Sequence, residues 1–344
     1  MESVLVTGAG GYIGSVLVPK LIADGYRVRG VDRYFFGDNK LAPHENLEKV
    51  KEDSRKLTAN HFNDIDHVID LVAVSNDPSG ELFSESTWQI NHQSRARTAK
   101  LAKEAGVKRY ILPSSCSIYG FQEEVVDETA ATNPLTVYAR ANESAENDVL
   151  PLADSGYVVT VMRQATVFGF SPRMRFDLAI NGMTYGASTN KVVPLMRDGK
   201  QYRPMLHVQD TTDVMIRLLS TDPEKINGEI FNVGSAQNTY QLGDLGKRVA
   251  STVSELLGEE VSIEWYGEPD HRSYQVSFEK IESTLDWKAS RTAEIGTAEI
   301  VEKLQSGELD RTDQTLTLNW YQELTKWHRI IKDAELYGGI LDIK

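Results

Sequence analysis

The residues with the most legible chemistry stand near the start of the chain. Val4-Leu5-Val6-Thr7 reads as a buried strand, and Gly8, Gly11 and Gly14 follow it before Leu17 and Leu21 recur at helical spacing. In a strand–turn–helix unit the first glycine permits the tight turn and the second lets backbone approach a pyrophosphate. The third lets helix pack on strand, while the N–H groups of the helix start, around Tyr12 and Ile13, face the anion. The segment therefore predicts a dinucleotide site. Asp32 ends the second strand, where a carboxylate accepts hydrogen bonds from the adenosine ribose and repels a 2′-phosphate. That favours NAD. Arg33, beside it, is able to pair with such a phosphate, so NADP stays open. Asp53 follows Val50 at the end of a third strand, either as an adenine contact or as a solvated loop carboxylate.

These residues need a scaffold, and residues 1 to about 165 supply its pattern by alternating short β-branched runs with amphipathic stretches. Strands are expected at 3–7, 27–31, 68–72, 110–113 and 158–163, and helices near 12–24, 86–105 and 137–153. The fold class is α/β, a Rossmann-type doubly wound parallel sheet. Beyond residue 166 the pattern is less regular, with helical stretches near 210–221, 241–257 and 314–334. Residues 166–344 are read as a smaller interleaved α/β substrate domain, and parts of about 205–235 return to the first domain at 1–165. No repeat or long linker separates them, so the two parts should enclose a cleft.

Composition narrows the partners. The formal charge of −13 repels phosphate backbones and anionic lipid, which argues against nucleic acid. Apolar runs are strand-sized, well short of the roughly 18 residues of a membrane span, and no basic n-region precedes the first strand. One cysteine, Cys116, excludes an intrachain disulfide and suits a reducing, cytoplasmic compartment. The seven histidines have no metal-ligand spacing, and His207 in Met205-Leu206-His207-Val208 reads as a packed core residue, so no metal is expected. Trp320, Tyr321 and Trp327 recur at helical spacing, which suits packing of a C-terminal helix better than base binding.

Further landmarks fall in order: Asp70-Leu71-Val72-Ala73, Asn91, Ser114-Ser115-Cys116-Ser117-Ile118-Tyr119-Gly120, Tyr138, Arg163 with Phe168-Gly169, Arg203 before His207-Val208-Gln209-Asp210, and Phe231-Asn232-Val233-Gly234. With the glycine turn they make residues 3 to about 290 resemble the extended short-chain dehydrogenase/reductases, the NAD-dependent nucleotide-sugar epimerases and dehydratases. The resemblance implies a nucleotide-diphosphate sugar as partner and a homodimer formed through the 86–105 and 137–153 helices. It makes Tyr138 the catalytic tyrosine and Ser115 the catalytic Ser/Thr. Leu71, Ala73 and Asn91 join the cofactor contacts, and Arg203 holds the nucleotide diphosphate. Arg272, in Pro269-Asp270-His271-Arg272, resembles a second diphosphate arginine, or else pairs with a neighbouring carboxylate.

The family reaction removes a hydroxyl proton from a sugar carbon while its hydride passes to nicotinamide, giving a transient ketone. Free tyrosine has a pKa near 10, so about one in a thousand is ionised at pH 7 and a nearby positive charge is needed. The usual source is a lysine one helical turn on. Here Tyr138-Ala139-Arg140-Ala141-Asn142 puts a neutral amide there, and Arg140 points elsewhere. Asn142 can bond the nicotinamide ribose but brings no charge. Three explanations compete: a working enzyme using another base or cation, a slow or regulatory cofactor-binding protein, or an altered sequence. By resemblance, 4,6-dehydratases carry Asp-Glu after the catalytic Thr, and decarboxylases carry a Glu at the second place. Cys116 and Ser117 stand there instead, which argues against both reactions. An epimerase fits best and a keto-sugar reductase is the alternative; Cys116 is either a proton carrier or a small buried side chain. Asn76, just past a strand end, is a substrate contact or a turn residue. Thr166, Ser171, Arg173, Arg175 and Asn181 form a polar stretch that is able to line the nucleotide pocket, with Arg173 or Arg175 meeting phosphate.

Overall fold

The computed structural model describes residues 1–268 and 272–334. Pro269, Asp270 and His271, and residues 335–344 of the expected second domain, lie outside the described residues. Seven parallel strands form the main sheet, in the order Glu229–Val233, Val158–Gln164, Arg109–Ser115, His67–Asp70, Ser3–Thr7, Arg27–Asp32 and Leu47–Lys51. The chain starts in the middle, winds outward to Leu47–Lys51, and returns to wind the other way from His67–Asp70. That reversal places a crevice beyond the carboxyl ends of Ser3–Thr7 and His67–Asp70, where doubly wound sheets receive ligands.

Both sheet faces are buried, as the uninterrupted apolar strands demand. Val4 and Val6 pack with Leu17 and Leu21 of the helix Gly14–Ala23 on one face. Leu5, Val68 and Leu112 pack with Ala99, Ala102 and Ala145 on the other. The strand at 68–72 is shorter than its sequence pattern, because Leu71 to Ser75 leave the ladder and enter the crevice. The expected 86–105 helix is three pieces, Ser84–Thr87, a wider π-helical Trp88–Ser94, and Arg95–Glu104. Such wide turns change which residues face the sheet, and this one carries Asn91 and leads into Arg95.

The second half returns Glu229–Val233 to the main sheet and lays the helix Val208–Ser220 against Gly14–Ala23. The remainder builds a separate layer: helices Ala179–Asn190, Leu242–Leu257 and Ala293–Gln305 pack around Phe168, Leu195, Leu245 and Val249. No helix among the described residues is long and apolar enough to cross a membrane.

One buried ion pair ties the helix Val137–Val149 to the strands below it. Arg163 donates to Glu146 at 2.8 and 3.0 Å, Ser114 donates to the same carboxylate, and Arg163 also reaches the Tyr119 hydroxyl at 2.9 Å. Tyr119 in turn donates to Asn232 at 2.8 Å. Arg163 and Asn232, landmarks in the sequence, thus brace the end of Arg109–Ser115 from beneath. Glu146→Ala strands a buried guanidinium and should lower the unfolding free energy by about 3–5 kcal/mol, read as a lower urea midpoint with little change in slope.

Candidate active site

The glycine turn is shaped by close approach. Gly8 has φ of +65°, and a Cβ on Gly14 would overlap the carbonyl oxygens of Gly8 and Ala9. Gly14 is thus required by the turn itself, whereas the sequence pattern assigns it to helix–strand packing. Asp32 is fixed by two backbone donors, Gly10 N–H at 3.0 Å and Tyr34 N–H at 2.6 Å. Burial pushes its carboxyl up, against the pull of those N–H groups and of Arg173. Its remaining lone pairs face the cleft, as a ribose acceptor requires.

The neighbours of Asp32 behave differently from the sequence expectation. Arg33, a possible 2′-phosphate partner, donates to Asp53 at 2.9 Å and lies 4.9 Å from the centroid of Phe35. Asp53 caps the turn at Ser54–Lys56 and also accepts Arg55 at 2.7 and 2.9 Å, and the Arg55 hydrogen bond holds it far below the usual carboxylate range. Asp53 is therefore an arginine-bound hub at the cleft wall, neither a free adenine acceptor nor a solvated loop carboxylate.

A cleft of about 1450 Å³ runs past Gly8, Gly11, Tyr12, Ile13, Gly14 and Asp32, along Leu71, Ala73 and Asn76, past Ser115, Ser117, Tyr138 and Thr166, to Arg203 and Arg272. It exceeds the usual 300–1,000 Å³ of a single small-ligand pocket, and so has room for two ligands end to end. Tyr138 opens the helix Val137–Val149, whose start is capped by Thr136 at 3.1 Å from Ala139 N. Gly80 lets the helix Asp77–Leu82 lie against it, since a Cβ there would come within 3.1 Å of the Tyr138 Cβ. Burial pushes the Tyr138 phenol up and Asp77 adds to this, while the Ser115 hydroxyl, Arg95 and Arg175 pull it down. Ser115 also accepts Ser117 N–H at 3.1 Å, and the buried Ser117 hydroxyl has no partner among the described residues.

Several expected contacts are taken up by the protein itself. Cys116 is fully buried with Sγ 3.1 Å from the Arg163 carbonyl, and burial pushes its thiol up, so it is not a proton carrier. Asn181 is also fully buried. It accepts Gly169 N–H and donates to the Tyr12 hydroxyl and the Arg175 carbonyl, leaving nothing for substrate. Tyr12 donates to the Gly169 carbonyl and Ser171 to the Tyr12 carbonyl, so this stretch fastens the second layer to the glycine turn. Arg175 forks onto Asp177 at 2.8 and 3.1 Å and reaches Ser75, while Asn76 caps the helix Asp77–Leu82 and donates to Asp177. These residues shape the wall. Asn91 clamps both backbone groups of Val74, at 2.8 and 3.0 Å, and so acts on the cofactor wall at one remove. Asn142 donates its amide to the Tyr138 carbonyl and accepts from Arg95, so it is not turned to the cleft.

Arg173 is the member of the polar stretch that keeps open donors. It is buried, it stacks 3.5 Å from the Phe36 centroid, and one amino group reaches Thr317 at 3.0 Å, but Nε and Nη1 lack partners. Burial and Arg175 lower its pKa to about 10. Arg173 lines the cleft close enough to Asp32 to feel its charge, in the half that holds the glycine turn. Arg203 donates to the Tyr202 and Arg272 carbonyls and stacks on Tyr274, and Arg272 pairs with Asp77. Both line the far end of the cleft. His207 is buried between Phe168 and Glu299, a packed core histidine. Tyr321 packs on Phe35, Phe36 and Phe83 and also lines the cleft, so the C-terminal helix does more than close a core.

Residues 4–234 match the NAD dependent epimerase/dehydratase family. The chain belongs to that family. NAD is accordingly its cofactor. The chain is similar to an uncharacterized UDP-glucose epimerase, YtcB, of Bacillus subtilis, at 26% identity over 80% of this chain and 89% of that one. A putative UDP-arabinose 4-epimerase 2 of Arabidopsis thaliana is 26% identical over 84% of this chain and 76% of its own. Among solved structures, MoeE5 in complex with UDP-glucuronic acid and NAD has a TM-score of 0.77 at 25% identity, covering 89% of this chain and 99% of that one.

Within this family frame, sequence reasoning missed Arg95, Asp77 and Glu146. Gly80 and the Asn91 to Arg95 spacing of one helical turn were the available signals. Asp32→Ala should weaken NAD binding roughly tenfold to a hundredfold and erase the preference over NADP. Arg33→Ala should move either affinity only a few-fold, because Asp53 holds that guanidinium. Calorimetric titration with both cofactors checks the pair.

Proposed function

We propose that this protein is an NAD-dependent epimerase acting on a nucleotide-diphosphate sugar through a transient keto-sugar. The observation that carries the reading is the continuity of one cleft, from the glycine turn and Asp32 through Ser115, Ser117 and Tyr138 to Arg203 and Arg272. A dinucleotide and a nucleotide sugar laid end to end would meet where the phenol and the hydroxyls stand. NAD, when bound, supplies the hydride acceptor. Tyr138 takes the sugar hydroxyl proton and returns it later, Ser115 hydrogen-bonds the same oxygen, and Ser117 offers its unpartnered hydroxyl beside them. Arg203 and Arg272 hold the diphosphate, and the Arg272–Asp77 pair links the sugar end to the helix that packs on Tyr138.

Epimerisation is favoured over elimination or decarboxylation by the two residues that succeed Ser115 in the chain. Cys116 is turned into the core and Ser117 carries no carboxylate, so the proton carrier of those reactions is missing at both places. Asp77 lines the same cleft but is occupied by Arg272 and by Thr136 at 2.5 Å. The 4-epimerase names among the relatives support C4 as the first carbon to test. Homodimerisation through the 86–105 and 137–153 segments belongs to the same proposal.

Incubation of the NAD-loaded protein with UDP-glucose, UDP-glucuronic acid and a UDP-pentose, followed by proton NMR, tests the reading. The expected result is interconversion of epimers without net accumulation of NADH. Stoichiometric formation of NADH would mark a net sugar dehydrogenase, oxidation of added NADH or NADPH by a keto-sugar nucleotide would mark a reductase, and no conversion of any sugar nucleotide would reject the enzyme reading. Tyr138→Phe should lower turnover by about 10²–10⁴-fold while NAD affinity changes little.

A further inference from the structure

The neutral Asn142 removes the charge that such a tyrosine needs, yet a cation from another helix, Arg95, is hydrogen-bonded to the side chain at that position. Arg95 is 1% exposed. Its guanidinium sits between the carboxyl ends of two neighbouring strands. It donates to the Asp70 and Pro113 carbonyls, and through Nη1 to the Asn142 side-chain oxygen at 3.0 Å. The same Asn142 amide donates to the Tyr138 carbonyl at 3.0 Å, so a two-bond chain runs from guanidinium to the tyrosine's own backbone. A lysine at 142 would meet this guanidinium as a like charge, whereas asparagine offers it an acceptor.

We propose that Arg95, positioned through Asn142, takes over the electrostatic role of the absent lysine and favours the ionised Tyr138 phenol against the burial and the Asp77 charge that oppose it. Arg95 touches neither substrate nor cofactor in this arrangement and acts as a positioning residue. The inference rests on the oxidation chemistry proposed above, but the field it describes exists in the protein whether or not a sugar turns over.

The other charges around the phenol set the balance. Asp77, on the helix packed against Tyr138, opposes ionisation and is itself paired with Arg272; Arg175 favours ionisation from the second layer but is forked onto Asp177. On Arg95's far side, Asp70 lies 3.8 Å from Nε and is occupied by hydroxyl donors from Thr7 and Tyr110. Arg95 Nε makes no hydrogen bond among the described residues, and Asp70 forms a buried ion pair with the guanidinium that offsets part of its charge.

Tyrosinate difference absorbance measures the effect without catalysis. The NAD-loaded protein is titrated with base, and the same titration of its Tyr138→Phe counterpart is subtracted to isolate one phenol. Arg95→Met should move the Tyr138 ionisation upward by about one pH unit or more, and Arg95→Met with Asn142→Lys should bring it back. Arg95→Gln keeps amide donors for the two carbonyls while removing the charge. It should shift the ionisation like Arg95→Met and serves as the test if the methionine variant fails to fold. Asn142→Lys alone should lower the melting temperature and fail to increase turnover.

The acid limb of the turnover profile should shift in step with the titration. An unshifted Tyr138 ionisation in a folded Arg95→Gln protein, or no recovery in the folded double variant, overturns the proposal. Absence of turnover in the unaltered protein would reject the epimerase reading alone, since the absorbance titration still reports the charge.

Discussion

A buried guanidinium has to be satisfied where it stands, and Arg95 is placed where two strands of a parallel sheet expose their last carbonyls. The strands His67–Asp70 and Arg109–Ser115 pair with each other only as far as Ile69 and Ile111, and beyond that point the carbonyls of Asp70 and Pro113 accept from Arg95. A buried carbonyl without a donor costs stability, as does a buried charge without partners. The two needs cancel at this point. With Arg95 in place, Asp70, Thr7, Tyr110, Asn142 and the start of the Tyr138 helix form one hydrogen-bonded unit under the cleft floor.

The same logic, repeated with carboxylates, occupies arginines both at the cleft wall, Arg33 and Arg175, and away from it, Arg163 and Arg291. Arg163 is held by Glu146, Arg175 by Asp177, Arg33 by Asp53 and Arg291 by Asp210. Each pair joins elements distant in the chain or closes a loop at the cleft edge. Arg173 differs because its flat face rests on Phe36, which gives it packing without using its donors. Arg173 keeps donors an anion would be able to use, whereas an anion near Arg175 would have to displace Asp177 first. Two neighbouring arginines of the same polar stretch thereby acquire opposite roles.

The scaffold was legible in the sequence because it follows local rules. The first strand, the glycine turn and Leu17 with Leu21 specify a strand, a turn and a buried helix face by short-range periodicity alone. The second half was harder to read. Ala179–Asn190 and Ala293–Gln305 bury small and polar residues, including Asn181, Thr184, Gly186 and Thr297, so their helical stripe is faint. Among site residues, Tyr138, Ser115 and Asp32 follow from motif position. Asn181, Arg175 and Asp53 do not, because a polar side chain looks the same in sequence whether its partner is a ligand or a group on a distant segment of the chain.

Asn142 shows the limit of motif reading most directly. A motif compares positions along one helix, and on that helix the cation is absent. Electrostatics depends on distance in space, and the neighbouring helix Arg95–Glu104 begins with a guanidinium that reaches the same amide. The wider π turn at Trp88–Ser94 leads into that reach, with Asn91 fixed on Val74 on one side of it and Arg95 on the strand ends on the other. On the proposal above, lysine at 142 with a small residue at 95, or asparagine at 142 with arginine at 95, each leave one cation near the start of the tyrosine's helix. Lysine with arginine would place two there, and asparagine with a small residue none. On that proposal only the first two pairs keep both the charge and the hydrogen bonds in order, so positions 95 and 142 are constrained jointly although the chain separates them by two strands and most of a helix.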